Sequence, residues 1–199
     1  MLRLLPVCLL ALLVASPALA QSTGTQADHE ALRKLKADAT TALNARDYPA
    51  AQKLLHQPFT VTVVTQDSFS EMEKLKAFYE GLYTRDVLRL KQVALAADAD
   101  ELSQIYEGTF ALTKGATKEH YELADGRAFD MNGRWTGVSI KENGQWKLLA
   151  LHMGINFLDN PVLAAIEKSL VWFTAAGTGL GMLAGFALGW FFRRSRPAA

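Results

Sequence analysis

Residues 127–157 read RAFDMNGRWTGVSIKENGQWKLLALHMGINF, and their reading decides the fold. Two half-apolar runs flank Glu142-Asn143-Gly144-Gln145. Asn-Gly in that setting specifies a tight hairpin, because both loop positions need positive φ. With Asn143 and Gly144 as the loop, Ile140 is expected opposite Lys147, Val138 opposite Leu149, Thr136 opposite Leu151 and Arg134 opposite Met153. Side chains alternate along a strand, so one face carries Val138, Ile140, Leu149, Leu151, Met153 and Ile155. That face is expected to pack on helices. The other carries Trp135, Gly137, Ser139, Trp146, Leu148, Ala150 and His152, with Trp135 opposite His152. A β-bulge would exchange the two faces for every residue beyond it.

Upstream of the hairpin the pattern is helical first and extended later. From Asp28, residues Leu32, Leu35, Ala39, Ala42 and Leu43 recur on one helical face, and Asn44 to Asp47 close the element. Asp47 can cap a second, shorter helix through about Leu55, with Pro49 tolerated in its first turn. Phe59 to Thr65 is β-branched and reads as a strand. Ser70 with Glu73 has the capping-box spacing and opens a third helix bearing Met72, Leu75, Tyr79 and Leu82. Strands are then expected over 87–96, 102–112 and 118–123. A turn is expected at 97–100, a loop at 114–116, and a tight turn at Asp125-Gly126. Helices segregated ahead of antiparallel strands argue an α+β domain, with about three helices laid over one curved sheet.

The helix-rich first third, the strand series, and the closing residues Gly133-Arg134-Trp135-Thr136, Gly144-Gln145-Trp146-Lys147-Leu148 and His152 resemble the SnoaL-like branch of the nuclear-transport-factor-2-like superfamily. The resemblance covers roughly Asp28 to Leu158. It implies a cone-shaped cavity between sheet and helices, and homodimerisation through the sheet. The superfamily includes isomerases, cyclases and dehydratases beside non-catalytic binding domains, so it does not choose a reaction.

Both ends of the chain carry address signals. Met1 to Ala20 reads as a signal peptide: Arg3, an apolar run from Leu4 to Val14, and Ala18-Leu19-Ala20 before the cut. Residues 21–27 read as a flexible leader, 28–158 as the domain and 159–169 as a helical connector. Leu170 to Phe192 carries no charge and, as a helix, would extend roughly 34 Å, enough to cross a bilayer. Trp172 and Trp190 sit near its ends, and the basic tail at 193–199 follows. The positive-inside rule puts that tail in the cytoplasm. The expected address is the bacterial inner membrane, single-pass, with the domain on the periplasmic side. Gly177, Gly181, Gly185 and Gly189 recur every fourth residue on one helix stripe and permit close helix approach. A homodimer or higher oligomer is therefore expected.

Charge and cysteine usage narrow the chemistry. Setting aside Arg3, Arg193, Arg194 and Arg196 leaves 17 Lys and Arg against 20 Asp and Glu. No basic stripe is present, so nucleic acid is not an expected partner. Cys8 is the single cysteine and lies within the signal, which leaves the exported part without thiol chemistry. His29, His56, His120 and His152 lack ligand spacing, so neither a metal nor another cofactor is expected.

Candidate catalytic groups are His152 and Asp130, an imidazole and a carboxylate suited to proton transfer if both reach one cavity. Their alternative is structural: His152 satisfied by a neighbour, Asp130 solvated. Arg134 and Trp135 are candidate ligand contacts, although Arg134 can equally pair with Asp130. Tyr106 and Tyr121 can donate to a ligand carbonyl or simply fill the core with a wet hydroxyl. His120 alternates with Lys118 and Glu122 on a polar face. Two functions stay open: a module that binds a small apolar ligand or dimerises, and an isomerase- or cyclase-type enzyme.

Overall fold

The computed structural model describes residues 24–194, so the expected signal peptide, the start of the leader and most of the basic tail lie outside the described residues. The chain begins with α1 (Gln26–Ala45), capped by Thr25. The Thr25 side chain accepts from the Asp28 amide at 3.2 Å, and Asp28 accepts in return from the Thr25 amide at 3.2 Å. Arg46, in the left-handed region at φ 54°, ends the helix. Asp47 then caps α2 (Tyr48–Leu54) by accepting from the Ala50 amide at 2.9 Å, as expected for that aspartate.

β1 (Leu55–Thr62) and the two-residue β2 (Ser68–Phe69) precede α3 (Met72–Thr84). The Ser70–Glu73 capping box does not form. Pairing of Ser68 with Thr62 and Phe69 with Val61 keeps the chain extended, so the helix starts late, from an uncapped Glu71.

Four further strands, β3 (Leu90–Ala99), β5 (Phe110–Leu123), β6 (Ala128–Glu142) and β7 (Gln145–Ile155), follow with the short β4 (Gln104–Tyr106) paired on β5. The sheet order is β2-β1-β7-β6-β5-β3. It is mixed rather than purely antiparallel, because β1 runs parallel to β7. The fold is α+β, with a curved sheet closed over by the N-terminal helices and one long helix, α4 (Pro161–Arg194), leaving it at the C-terminus.

Two expected breaks are strand instead. Residues 97–99 continue β3, where Asp98 pairs with Ala116 and Ala99 with Gly115, so the expected loop at 114–116 is the middle of β5. Glycine is needed there because a Cβ at Gly115 would lie 1.9 Å from the Asp98 carbonyl oxygen and 2.6 Å from the Trp135 ring nitrogen. The break falls at Glu107-Gly108, both at positive φ, and divides the expected 102–112 strand into β4 and the start of β5.

The hairpin turn forms as read, with Asn143 at φ 49° and Gly144 at 78°. Its register holds as far as Ser139 opposite Leu148, then shifts. Ser139 pairs with Leu148 but Val138 pairs with Ala150, so a bulge at Leu149 moves every later pair by one residue. Trp135 therefore faces Met153, and His152 faces Thr136.

The helices also cover the other face of the hairpin from the one expected. Trp135, Gly137 and Ser139 are buried on the helix side together with Trp146, whereas Val138 and Ile140 point away from it. Beyond the bulge, Leu151 and Met153 join the inner wall, as expected. The aliphatic stripe at Val138, Ile140 and Leu149 has the more uniformly apolar composition expected of a packing face. The actual interior is built from tryptophans, glycines and a serine because it encloses space.

Two clusters hold helices to sheet. Phe59, Val61 and Val63 pack with Met72 and Leu75 of α3, while Leu32 and Leu35 of α1 pack with Ile105, Ala111 and Trp146. Polar bonds set the position of α1. The Asn44 side chain donates to the Leu95 carbonyl and accepts from the Leu95 amide, both at 2.8 Å. Asp28, 6% exposed, accepts from Lys141 Nζ at 2.6 Å and Trp146 Nε1 at 3.0 Å. These bonds hold its carboxyl well below the usual range, the Lys141 contact contributing most.

Candidate functional site

With α1 bolted over β3 and the hairpin, helices and sheet enclose two adjoining cavities of about 480 and 700 Å³. They share Leu43, Tyr48, Tyr79, Leu95 and Met153 in their walls. The smaller is floored by Trp135, Gly137, Ser139 and Met153; the larger by Glu119, Tyr121, Phe129 and Met131. Most of the remaining lining is aliphatic.

The concentrated polarity is on β5. Alternation sends Thr117, Glu119 and Tyr121 inward, and Thr117 and Glu119 are each 3% exposed. The Thr117 hydroxyl donates to Glu119 Oε1 at 2.9 Å, and the Tyr121 hydroxyl donates to Oε2. Room for this row comes from Gly133, the cross-strand partner of Thr117. A Cβ there would lie 2.4 Å from Thr117 Oγ1 and 3.4 Å from Glu119 Oε1.

Two phenols respond to this setting. Tyr79 is pushed up to about 12, by burial first and then by the Glu119 charge. Tyr121 is raised further for the same reasons, with its hydrogen bond to Glu119 adding to them. Both remain protonated donors across the physiological range. Tyr121 also stacks on Phe129 at 5.1 Å, which fixes its ring.

A further polar atom faces the smaller cavity. His29 Nδ1, on the first turns of α1, is buried and has no hydrogen-bond partner. Trp135 is different, since its Nε1 donates to the Asp98 carbonyl at 3.1 Å. Its ring is wall.

The expected catalytic pair does not meet in this interior. Asp130 lies on the outer face, 84% exposed, and accepts from or donates to no cavity group; its partner is His120 at 2.7 Å. His152 is exposed on that same face, placed there by the Leu149 bulge. Neither lines a cavity. Arg134 pairs with Asp100, not Asp130, and is also external. Tyr106 is 39% exposed and donates to Gln104. Of the residues singled out from sequence, Trp135 and Tyr121 line the interior.

Thr117, Glu119 and His29 were missed. The signal for the first two was present, because Lys118, His120 and Glu122 form the outer row of the same strand. Their alternates had to face inward with Tyr121. Among the described residues no group of three or more His, Cys, Asp or Glu is arranged to hold a metal ion.

Neither a family model nor a curated protein matches this sequence. Solved structures do match in shape. A hexachlorocyclohexane dehydrochlorinase aligns with TM-score 0.55 at 11% identity, covering 66% of this chain and 86% of its own. A nuclear-transport-factor-2-like protein of unknown function from Pseudomonas putida KT2440 aligns at 0.52 and 16%, covering 67% and 89%. A nuclear-transport-factor-2-like superfamily protein from Salmonella enterica serovar Typhimurium LT2 aligns at 0.54 and 14%, covering 64% and 89%. The fold is the nuclear-transport-factor-2-like cone. At these identities the likeness concerns fold alone, and its neighbours include both enzymes and proteins without an assigned role.

Proposed function

We propose that this chain is a membrane-anchored binding module whose cone interior takes a small, mostly apolar ligand. The carrying observation is the pair of adjoining cavities, aliphatic and aromatic in their walls, with a few polar groups converging at Thr117, Glu119 and Tyr121. Their volumes fall in the range of roughly 300–1,000 Å³ typical of small-molecule sites, which share this mostly apolar character. Native mass spectrometry of the full chain released from detergent tests the reading. One small molecule retained per chain is the expected result; repeatedly empty protein would sink it.

The rival reading is a proton-transfer enzyme of the isomerase or cyclase kind. His152 and Asp130 give it little support from the outer face. Glu119 supports it better, as a buried carboxylate beside two phenols held protonated. Turnover of a retained ligand that disappears in Glu119→Gln, with binding preserved, would favour this rival.

α4 is long and apolar enough to cross a membrane. Its cap is well formed: Asn160 accepts from the Leu163 amide at 3.0 Å, with Pro161 as the first helical residue. We assign it as the anchor, with the domain outside the inner membrane and the basic tail in the cytoplasm. Self-association is part of the same proposal, and two features support it. The four helix glycines have nothing within 4 Å of a built Cβ, so their stripe is free to approach a second helix. On the outer sheet face, Phe110 and Leu112 are 42% and 37% exposed and stand opposite Ile140 and Val138, an apolar patch suited to a second copy. Light scattering of the detergent-solubilised chain should report a dimer or larger, and Leu112→Glu combined with Gly181→Leu should dissociate it. A strictly monomeric parent protein would remove this part.

A further inference from the structure

The larger cavity opens at the foot of the membrane helix. Pro161, Val162 and Ala165 of α4 form part of its wall, beside Ala128 and Phe129 at the start of β6. The charge-free stretch of α4 begins at Leu170, five residues beyond Ala165. At the helical rise that separation is about 7–8 Å. A bilayer's polar layer is about 5–8 Å deep on each side. With α4 as the anchor, the cavity wall built by Pro161, Val162 and Ala165 falls at the level of the headgroups.

Exposed apolar side chains gather at the same end. Val87 is 74% exposed, Phe157 81% and Leu158 79%, and Leu88 lines the cavity itself while remaining 45% exposed. Leu88 sits at φ 52°, an uncommon conformation for a branched side chain. Arg85 holds it there by donating from Nε at 3.0 Å and Nη2 at 2.8 Å to the Leu88 carbonyl. One loop thus sets Leu88 in the cavity wall with Val87 exposed beside it, and Phe157-Leu158 stand exposed just ahead of α4, whose first turns line the same cavity. Such a patch suits an interfacial surface.

Charge around the opening has a sign. Arg46, Arg85 and Arg127 line the larger cavity, whereas the carboxylate that lines it, Glu119, is buried at its floor. Arg46 lies 3.7 Å from Glu80, and Arg127 pairs with Asp125. Arg85 has no carboxylate partner among the described residues; its bonds go to one carbonyl, leaving Nη1 unused.

We propose that the larger cavity admits a single-chain amphiphile with an anionic head directly from the bilayer that holds α4. The chain lies along Leu123, Met131 and Met153, and the head stays at the mouth on Arg85. This rests on the ligand-binding and anchoring readings above and names their ligand class: a fatty-acid-like molecule of membrane origin.

The test uses the full chain in vesicles of phosphatidylethanolamine and phosphatidylglycerol that contain a trace of diazirine-bearing hexadecanoic acid. After irradiation, adducts are mapped by peptide mass spectrometry. Adducts on the cavity peptides around Leu123 and Met131, in addition to α4, are expected. Ala165→Trp, at an exposed position on the mouth, should reduce the cavity adducts several-fold while leaving those on α4. The acid should label the cavity about ten-fold more than the matching alcohol, as a charge-assisted contact implies, and Arg85→Gln should abolish the preference. Adducts confined to α4 would overturn the proposal. If native mass spectrometry of that same preparation then shows another retained molecule, the ligand-binding reading survives; if it is empty, both fall. No adducts on α4 would overturn the anchoring on which the inference stands.

Discussion

The two faces of β5 carry similar residue types and lead different lives. Inward, Thr117, Glu119 and Tyr121 form one hydrogen-bonded row at the floor of a cavity. Outward, Lys118, His120 and Glu122 stand in or near solvent, where His120 meets Asp130 and Glu122 meets Lys91 at 2.6 Å. A carboxylate beside a hydroxyl in a closed interior can organise a ligand. The same carboxylate beside a cation in water is a screened pair worth little. What separates them is one step of the pleat. Ionisable residues in such a sheet acquire meaning only once the phase of the alternation is known.

The largest effect should come from the interior ion cluster that ties α1 to the hairpin. Asp28→Ala leaves Lys141 and Trp146 without their acceptor and removes the reciprocal half of the Thr25 capping box, a loss of about 3 kcal/mol in denaturant unfolding. The external Arg134–Asp100 pair is the contrasting case, and Asp100→Asn should leave the unfolding midpoint unchanged. The pH dependence carries a sign. Because the Asp28 carboxyl is depressed in the fold, its contribution is present above its ordinary value of 3.8 and is lost as pH falls through the folded value. Acidification should therefore destabilise the parent protein in that region, and Asp28→Asn should flatten the acid limb. Equal acid limbs in the two proteins would break the comparison.

Next come two glycines on adjacent strands. Gly133→Ala drives a methyl group against Thr117 Oγ1 and should cost about 2 kcal/mol. Gly154→Ala meets nothing within 4 Å and should stay within about 0.5 kcal/mol of the parent. Similar costs at the two positions would mean that the inner face is not the crowded one.

A smaller loss is expected at the floor. Glu119→Gln, with one amide oxygen left to serve two hydroxyl donors, should cost about 1–2 kcal/mol and weaken retention of a bound ligand. Asp130→Asn should do neither. Reversal of that order in thermal unfolding and native mass spectrometry would return Asp130 to consideration.

The smallest signal is spectroscopic. Tyr79 and Tyr121 should not ionise in an ultraviolet titration until well above pH 10, Tyr79 near 12. Raised phenols contribute stability that is full below their unfolded value near 10 and lost as pH rises through the folded one. Full tyrosine ionisation at pH 10 in protein that is still folded would show the interior open to water.

Much of the architecture was legible from local chemistry. Asp47 capped its helix, Asn143-Gly144 and Asp125-Gly126 turned their hairpins, and Asn160-Pro161 opened the last helix, because each signal acts within a few residues. The Ser70–Glu73 box was equally local in appearance but lost to strand pairing by Ser68 and Phe69. Gly115 misled in the opposite direction. It resembled a loop residue, whereas it is a strand residue stripped of its side chain so that the Asp98 carbonyl and Trp135 can come close. The candidate site was legible in Trp135 and Tyr121 alone. Glu119 was hidden in a row whose outer members drew attention first.

By itself the sequence determined the succession of helices ahead of strands, the α+β class, the tight turns at Asp125-Gly126 and Asn143-Gly144, and a C-terminal helix long and apolar enough to cross a bilayer. These follow from propensity, capping and periodicity, which act over one or two turns of chain. Only the tertiary structure decided that β1 joins β7 in parallel, that Leu149 bulges and so turns His152 outward, and which face of β5 and β6 the helices cover, which leaves Asp130 outside and Glu119 inside. One inserted residue costs little locally, yet it inverts every side chain beyond it. Its placement is set by which strands and helices must fit together across the whole sheet.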